Sequence, residues 1–209
     1  MKAFVIMMRR LGQSKDAARR CIRSGREHGV DVDIYDAIVP ADGVFDIMEE
    51  RGFPRQGCRN DPYSRIEPCT ATFLSHSSLW RSCASRDEPY LILEHDAVFV
   101  APIPELDVMC CNLGKPSFGT FTTPPDGLGA LVSKGKFGGA HGYQISPEGA
   151  KLLLAKAKTD ACATDRFLNI DFFPWLTEYH PWPIICDDSF STIQKEEGCK
   201  GKHNKVTPI

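Results

Sequence analysis

The chain has 209 residues, a formal net charge of -2 and 42% hydrophobic residues. This length suits one folded domain with a buried core, and the near balance of 25 basic and 27 acidic side chains excludes a strongly basic nucleic-acid-binding groove. The longest apolar runs, of about 5–7 residues, fall short of the roughly 20 that a membrane-spanning helix needs. We therefore expect no transmembrane segment or export signal, and a cytoplasmic location, in a bacterium or in the host cell if the source is viral.

The first predicted elements form a strand–helix–strand unit. Residues 2–8 are a continuous apolar run, which predicts a strand buried on both faces. Ser14 is the expected N-cap of a helix over 15–28, and Gly29 is expected to end that helix. The alternating residues 30–35 predict a second strand. A unit of this kind implies a parallel sheet.

The rest of the chain alternates predicted helices and strands with two loop regions. Residues 40–68 and 101–137 are rich in Gly and Pro, and we expect them to be largely irregular. Ser146 is the predicted N-cap of a helix that opens with Pro and an acidic residue. The other predicted elements are a helix over 68–86, strands over 90–93 and 98–100, a strand over 138–145, a helical patch over 164–170 and a strand over 179–185.

The nine cysteines contain no C-x-x-C pair and match no zinc-module spacing. An odd number of cysteines without an export signal favours buried thiols in a reducing compartment. A disulfide between Cys58 and Cys69 is the alternative.

The strongest local pattern is the acidic pair Glu94 and Asp96, which follows an apolar strand. Residues i and i+2 share a face in extended geometry, so we expect both carboxylates on one side of the strand end. Two such carboxylates repel each other unless a cation lies between them. Oxygen ligands suit Mg²⁺ or Mn²⁺, which can neutralise a diphosphate. The alternative is a solvated strand-to-turn junction without a metal.

Four separated stretches resemble the family 25 glycosyltransferases, which include lipooligosaccharide and collagen galactosyltransferases. Residues 72–80, TFLSHSSLW, are similar to the family's S-H motif, and 90–99, YLILEHDAVF, resemble its E-D-D motif. Residues 138–154, GGAHGYQISPEGAKLLL, are similar to its G-x-x-x-Y-x-I-S-x-x-G-A segment, and 187–194, DDSFSTIQ, resemble its C-terminal motif. His95 stands where the family has its middle acid.

The resemblance implies a GT-A type fold, a Rossmann-like mixed sheet flanked by helices. It implies one domain over 1–200, with a nucleotide-binding half over 1–100, an acceptor half over 101–200 and a tail over 201–209. The implied activity is transfer of a hexose, with galactose favoured, from a UDP-sugar to a hydroxyl of a glycan, lipooligosaccharide or protein acceptor. The implied cofactor is Mn²⁺ or Mg²⁺, and the transfer is expected to invert the configuration at the sugar's anomeric carbon.

The resemblance also implies roles for individual residues. Asp96 is expected to bind the metal, with Glu94 holding the ribose or the metal's waters. His141, which matches no family position, is interpreted as a surface or supporting residue. The remaining implied roles are phosphate binding by Arg9, nucleotide or sugar contacts by Ser75, His76 and Tyr143, and proton abstraction by Asp165 or, as second choice, Asp188.

Three of these residues have a structural alternative. His76 on a helix can equally be a hydrogen-bonded core histidine, and Asp165 can be a first-turn helix acid. Tyr143 can be packed in the core instead of lining the pocket. For the whole chain, the alternatives are a catalytically silent nucleotide-sugar or glycan-binding relative and a metal-dependent phosphohydrolase.

Overall fold

The computed structural model describes residues 1–59, 64–117, 119–187 and 192–193, which contain both helices and strands. In chain order the elements are β1 Lys2–Met7, α1 Gly12–Glu27, β2 Val32–Asp36, a 3₁₀ turn Pro40–Asp42, α2 Val44–Glu50, α3 Gln56–Arg59, α4 Ile66–Arg86, β3 Tyr90–Glu94, β4 Ala97–Phe99, β5 Cys110–Asn112, β6 Gly127–Ala130, β7 Gly142–Ile145, α5 Pro147–Asp160, α6 Thr164–Phe167, β8 Thr177–His180 and β9 Ile184–Cys186. They form a single α/β domain.

Seven strands build one mixed sheet, in the order β2-β1-β3-β7-β5-β8-β6. The predicted strand–helix–strand unit is confirmed, because β1 is parallel to both β2 and β3. Ile6 lies opposite Tyr35 on one side and opposite Glu94 on the other, so the carboxyl ends of these three strands meet at one edge. β7 then runs antiparallel to β3, which makes the sheet mixed and compatible with a Rossmann-like arrangement.

Two apolar layers cover the two faces of the sheet. Tyr90 and Ile92 of β3 belong to the cluster that includes residues of α4, whereas Leu91 and Leu93 belong to the cluster that includes residues of α1. Successive side chains of a strand point to opposite faces of the sheet, which explains this alternation. Glu94 is two residues after Ile92 and therefore points to the same face, the one covered by α4.

β4 and β9 form a separate antiparallel ribbon, in which Ala97 pairs with Cys186. The backbone N–H of Asp187 also donates to the carbonyl of Asp96, 3.0 Å away. The chain therefore leaves the main sheet directly after β3 and enters another sheet within a turn.

Several predicted boundaries are wrong. Ser14 is not the N-cap of α1: the helix begins earlier, after Leu11, and the Ser14 hydroxyl instead accepts from the backbone N–H of Met8 at 2.9 Å. The region 101–137 contains the short strands β5 and β6, and the single strand expected over 179–185 is two strands in different sheets. The cap at Ser146 is confirmed, since its hydroxyl accepts from the Gly149 N–H.

No disulfide joins the cysteines of the described residues. Cys58 and Cys69 are both buried thiols outside any disulfide, so the alternative of a bridge between them is wrong, and the described cysteines are mostly buried, as expected. Cys199 lies outside the described residues. No helix in the described ranges is long and apolar enough to cross a membrane.

Candidate functional site

A cavity of about 610 Å³ opens at the edge where β1, β2 and β3 end. Ligands of open α/β sheets bind at this position, outside the carboxyl ends of parallel strands. The volume lies within the roughly 300–1,000 Å³ of small-molecule sites. The lining residues are Ile6, Met8, Leu11, Gln13, Ala37, Ile38, Pro40, Arg65, Pro68, Ala71, Thr72, Ser75, His76, Glu94, His95, Thr192 and Ile193.

The N-terminus of α1 lies at this cavity, since Leu11 and Gln13 contribute to its wall. The helix has no side-chain cap and no acidic residue in its first turn. Uncapped N–H groups and the positive end of the helix dipole favour an anion at such a point. This wall of the cavity is therefore suited to a phosphate group.

A buried chain of hydrogen bonds leads from the cavity into the core. Glu94 Oε1 lies 3.3 Å from His76 Nε2, and His76 Nδ1 lies 2.8 Å from the hydroxyl oxygen of Tyr143. Trp80 Nε1 donates to the same hydroxyl at 2.8 Å. His76, Tyr143 and Trp80 are fully buried, and His76 also stacks on the Tyr143 ring. The core thus fixes the orientation of the one carboxylate that the described part of the cavity wall contains.

The donors in this chain assign its protons. The indole of Trp80 can only donate, so the Tyr143 oxygen accepts from it and has one proton to give. Burial raises the pKa of Tyr143 well above its usual value, so that proton stays in place. Tyr143 then donates to His76 Nδ1, and the remaining proton of the neutral imidazole, on Nε2, points at Glu94. With this assignment, the polar groups of Trp80, Tyr143 and His76 all have hydrogen-bond partners.

Ser75, His76 and Tyr143 do not share one role. Ser75 is fully buried, donates to the Ala71 carbonyl and accepts from the Ile38 N–H, so it anchors the loop after β2 that forms one wall. Tyr143 lies behind His76 and does not line the cavity. Of the two positions expected for Tyr143, packed in the core or lining the pocket, the structure shows the packed one, with His76 between Tyr143 and the cavity.

Arg9 and Asp165 lie outside the described cavity wall. Arg9, in the loop after β1, forms an exposed ion pair with Asp36 at the end of β2. Asp165 lies in α6, with its carboxylate 4.0 Å from Lys136 Nζ. Proton abstraction by Asp165 stays a prediction, and Asp188 lies outside the described residues.

Asp96 does not join Glu94. The strand ends at Glu94, and the turn that follows carries Asp96 away from the α4 face, so the expectation of two carboxylates on one side is wrong. Period-two alternation holds only while the backbone stays extended. Asp96 instead lies 3.5 Å from His141, measured from Oδ1 to Nδ1, while Glu94 contacts His76.

Asp96, His141 and Cys186 form a group whose donor atoms all lie within 4.8 Å of one another. Asp96 and His141 are only 7% and 5% exposed, so of the two roles expected for His141, surface residue or supporting residue, the surface role is wrong. Burial alone would lower the pKa of His141, but its electrostatic interactions with Cys186 and Asp96 raise it well above its usual value. Burial works to raise the pKa of Asp96, and the imidazole of His141 more than offsets this and lowers it.

This donor set does not fit Mg²⁺ or Mn²⁺ as the sequence implied. Those ions prefer oxygen ligands, whereas the group offers one carboxylate, one imidazole and one thiol. Sequence reasoning missed His141 and Cys186 as partners of Asp96, because the three residues are far apart in the chain and follow no ligand spacing.

No protein-family model matches the chain. No curated protein matches it either.

Proposed function

We propose that the chain is a glycosyltransferase that uses a nucleotide diphosphate-sugar, whose nucleotide binds in the cavity at the ends of β1, β2 and β3. The observation that carries this proposal is Glu94, a carboxylate held at the cavity by the buried His76, Tyr143 and Trp80. The resemblance of four stretches to family 25 glycosyltransferases supports the class of reaction.

The diphosphate, base and ribose of a UDP-sugar each have a chemically suited part of the cavity wall. The uncapped N-terminus of α1 suits the diphosphate, and Arg65 supplies a positive charge in the same cavity. Ile38, Pro40 and Pro68 offer apolar surface for the base. The Glu94 carboxylate is an acceptor for ribose hydroxyls, and its bond from His76 keeps one oxygen occupied and the other directed to the ligand.

The reaction would break the bond between the sugar's anomeric carbon and the diphosphate, and form a bond from that carbon to an acceptor hydroxyl oxygen. The hydroxyl's proton would pass to a carboxylate. Asp165 and Asp188 keep the roles predicted for them. Glu94 and Asp96 do not converge on the Mn²⁺ or Mg²⁺ that the sequence implied, since Glu94 contacts His76 and Asp96 contacts His141. No step of this reaction is therefore assigned to a metal ion.

The test is isothermal titration with UDP and UDP-galactose, together with an assay of UDP release from UDP-galactose, each with chelator and with added Mn²⁺. We expect UDP to bind the wild type and Glu94→Gln to weaken binding by about 10-fold or more, as expected when a hydrogen bond to a charged acceptor worth about 1.5–3 kcal/mol is lost. Glu105→Gln, at an exposed position, is the matched control.

The outcomes separate the proposals. UDP release that depends on Glu94 supports a transferase. UDP binding without release from any UDP-sugar identifies a nucleotide-sugar-binding protein instead. Absence of UDP binding at millimolar concentration refutes the assignment of the cavity.

A further inference from the structure

Three donors of metal-ligand chemistry meet at a place that the proposed nucleotide site does not use. Asp96 follows β3, His141 precedes β7 and Cys186 ends β9. None of the three lines the cavity as described. Within the described residues they are the one group in which at least three carboxylate, imidazole or thiol donors come within 4.8 Å of one another.

The polar atoms at this place are buried without hydrogen bonds. Asp96 Oδ1 and His141 Nδ1 lie 3.5 Å apart as an ion pair, and neither these two atoms nor His141 Nε2 makes a hydrogen bond among the described residues. Asp96 and His141 are more than nine-tenths buried. Buried polar atoms in native proteins almost always hydrogen-bond to protein groups or ordered water, or bind an ion. A buried group without such a bond costs about 1–3 kcal/mol, so a bound ion would stabilise this arrangement.

The backbone makes room for the imidazole. Gly139 has a φ of +88°, and a Cβ at this position would lie 2.0 Å from His141 Nε2. Any side chain there would displace the ring. Glycine is therefore required at this position both by its conformation and by the approach of His141.

We propose that Asp96, His141 and Cys186 bind a zinc ion. Carboxylate, imidazole and thiolate are the donors that zinc takes in proteins, at bond lengths of about 2.0–2.3 Å. Tetrahedral bonds of that length space neighbouring donors about 3.3–3.6 Å apart. The 3.5 Å between Asp96 Oδ1 and His141 Nδ1 already matches, and a shift of about 1.5 Å at most brings the thiol into range.

The ion would connect three chain segments that belong to two sheets. Cys186 lies on the ribbon of β4 and β9, while His141 adjoins β7 of the main sheet. Three protein donors leave a fourth position for water or a further donor. Because the unfolded chain does not hold the three donors together, zinc binding stabilises the folded state.

The experiment uses the full chain and needs no activity assay. The protein is freed of metal with a chelator, then titrated with Zn²⁺ by calorimetry and with Co²⁺ by absorption, since a thiolate bound to Co²⁺ gives a charge-transfer band. We expect one ion per chain, a cobalt–thiolate band at one equivalent and a Tm that rises with zinc concentration.

Variants then identify the ligands. Cys186→Ser, His141→Ala and Asp96→Asn should each lower zinc affinity by about 100-fold or more, because loss of partners around a metal ligand already costs 10–100-fold. Cys162→Ser is the control, since Cys162 is also a partly exposed thiol outside a disulfide but belongs to no such group in the described chain.

The proposal is overturned if the wild type shows neither the cobalt–thiolate band nor a zinc-dependent Tm. It is also overturned if Cys186→Ser binds zinc like the wild type, or if Cys162→Ser loses the band. Should one variant fail to fold, the wild-type spectrum and the isosteric Asp96→Asn variant still decide the question.

Discussion

The hydroxyl of Tyr143 provides a sharp test of the hydrogen-bonded chain behind the cavity. Tyr143→Phe removes one oxygen from the core and keeps the ring. It deprives Trp80 Nε1 of its acceptor and His76 Nδ1 of its donor, each at 2.8 Å in the wild type. A buried polar group left without a partner costs about 1–3 kcal/mol.

The expected loss in the free energy of unfolding is about 2–4 kcal/mol, because two buried groups lose a partner while the hydroxyl no longer needs to be desolvated. The assay is urea unfolding followed by circular dichroism, with the slope m unchanged. Tyr90→Phe is the matched control, since Tyr90 is equally buried but its hydroxyl shares a hydrogen bond with the part-buried Ser82 hydroxyl. Its expected cost is about 0.5–1.5 kcal/mol.

The same variant should weaken UDP binding, because His76 loses the bond that orients it toward Glu94. Equal losses of stability in Tyr143→Phe and Tyr90→Phe, or a loss below about 1 kcal/mol in the former, would refute the reasoning from unsatisfied partners.

Two further predictions test packing and burial. Gly149→Ala should lower the free energy of unfolding by about 1–3 kcal/mol, because the added Cβ would lie 2.2 Å from the Met109 carbonyl oxygen. This loss is expected although alanine is the better helix former. A variant that is more stable than the wild type in urea unfolding would contradict the prediction. Burial raises the pKa of Cys111 and Cys162 to about 12 from 9.0. A thiol whose pKa is raised by folding contributes stability that is complete below about pH 9 and is lost as the pH rises toward 12. The urea concentration at the unfolding midpoint should therefore decrease as the pH is raised above about 9. This decrease should be smaller in Cys111→Ala. At pH 8 both thiols should react with iodoacetamide far more slowly than in concentrated urea, and equal rates would contradict the burial.

The first half of the fold could be predicted because its strands carry strong signals. Residues 2–8 and 90–93 are continuous apolar runs, and they form the two central parallel strands β1 and β3. β5 and β6 were missed because they have only three and four residues, and β6 is half glycine. Pairing with neighbouring strands, which local sequence does not encode, makes them part of the sheet.

The candidate site was predictable only in part, for a related reason. Glu94 could be placed at the strand end from the local pattern, whereas His76 could be placed at the pocket only through the family resemblance. The position of Asp96 depends on where the strand gives way to a turn, and a change of one residue reverses the face. His141 and Cys186 reach Asp96 only through the tertiary fold.

The path from Glu94 to Trp80 has a practical consequence. The indole N–H of Trp80 donates into the same chain of contacts that ends at the cavity, and the ring sits fully enclosed. The chain has only 3 tryptophans. A ligand that hydrogen-bonds to the Glu94 carboxylate would alter the electric field at the Trp80 indole. The tryptophan fluorescence of the unlabelled protein therefore reports whether the cavity is occupied.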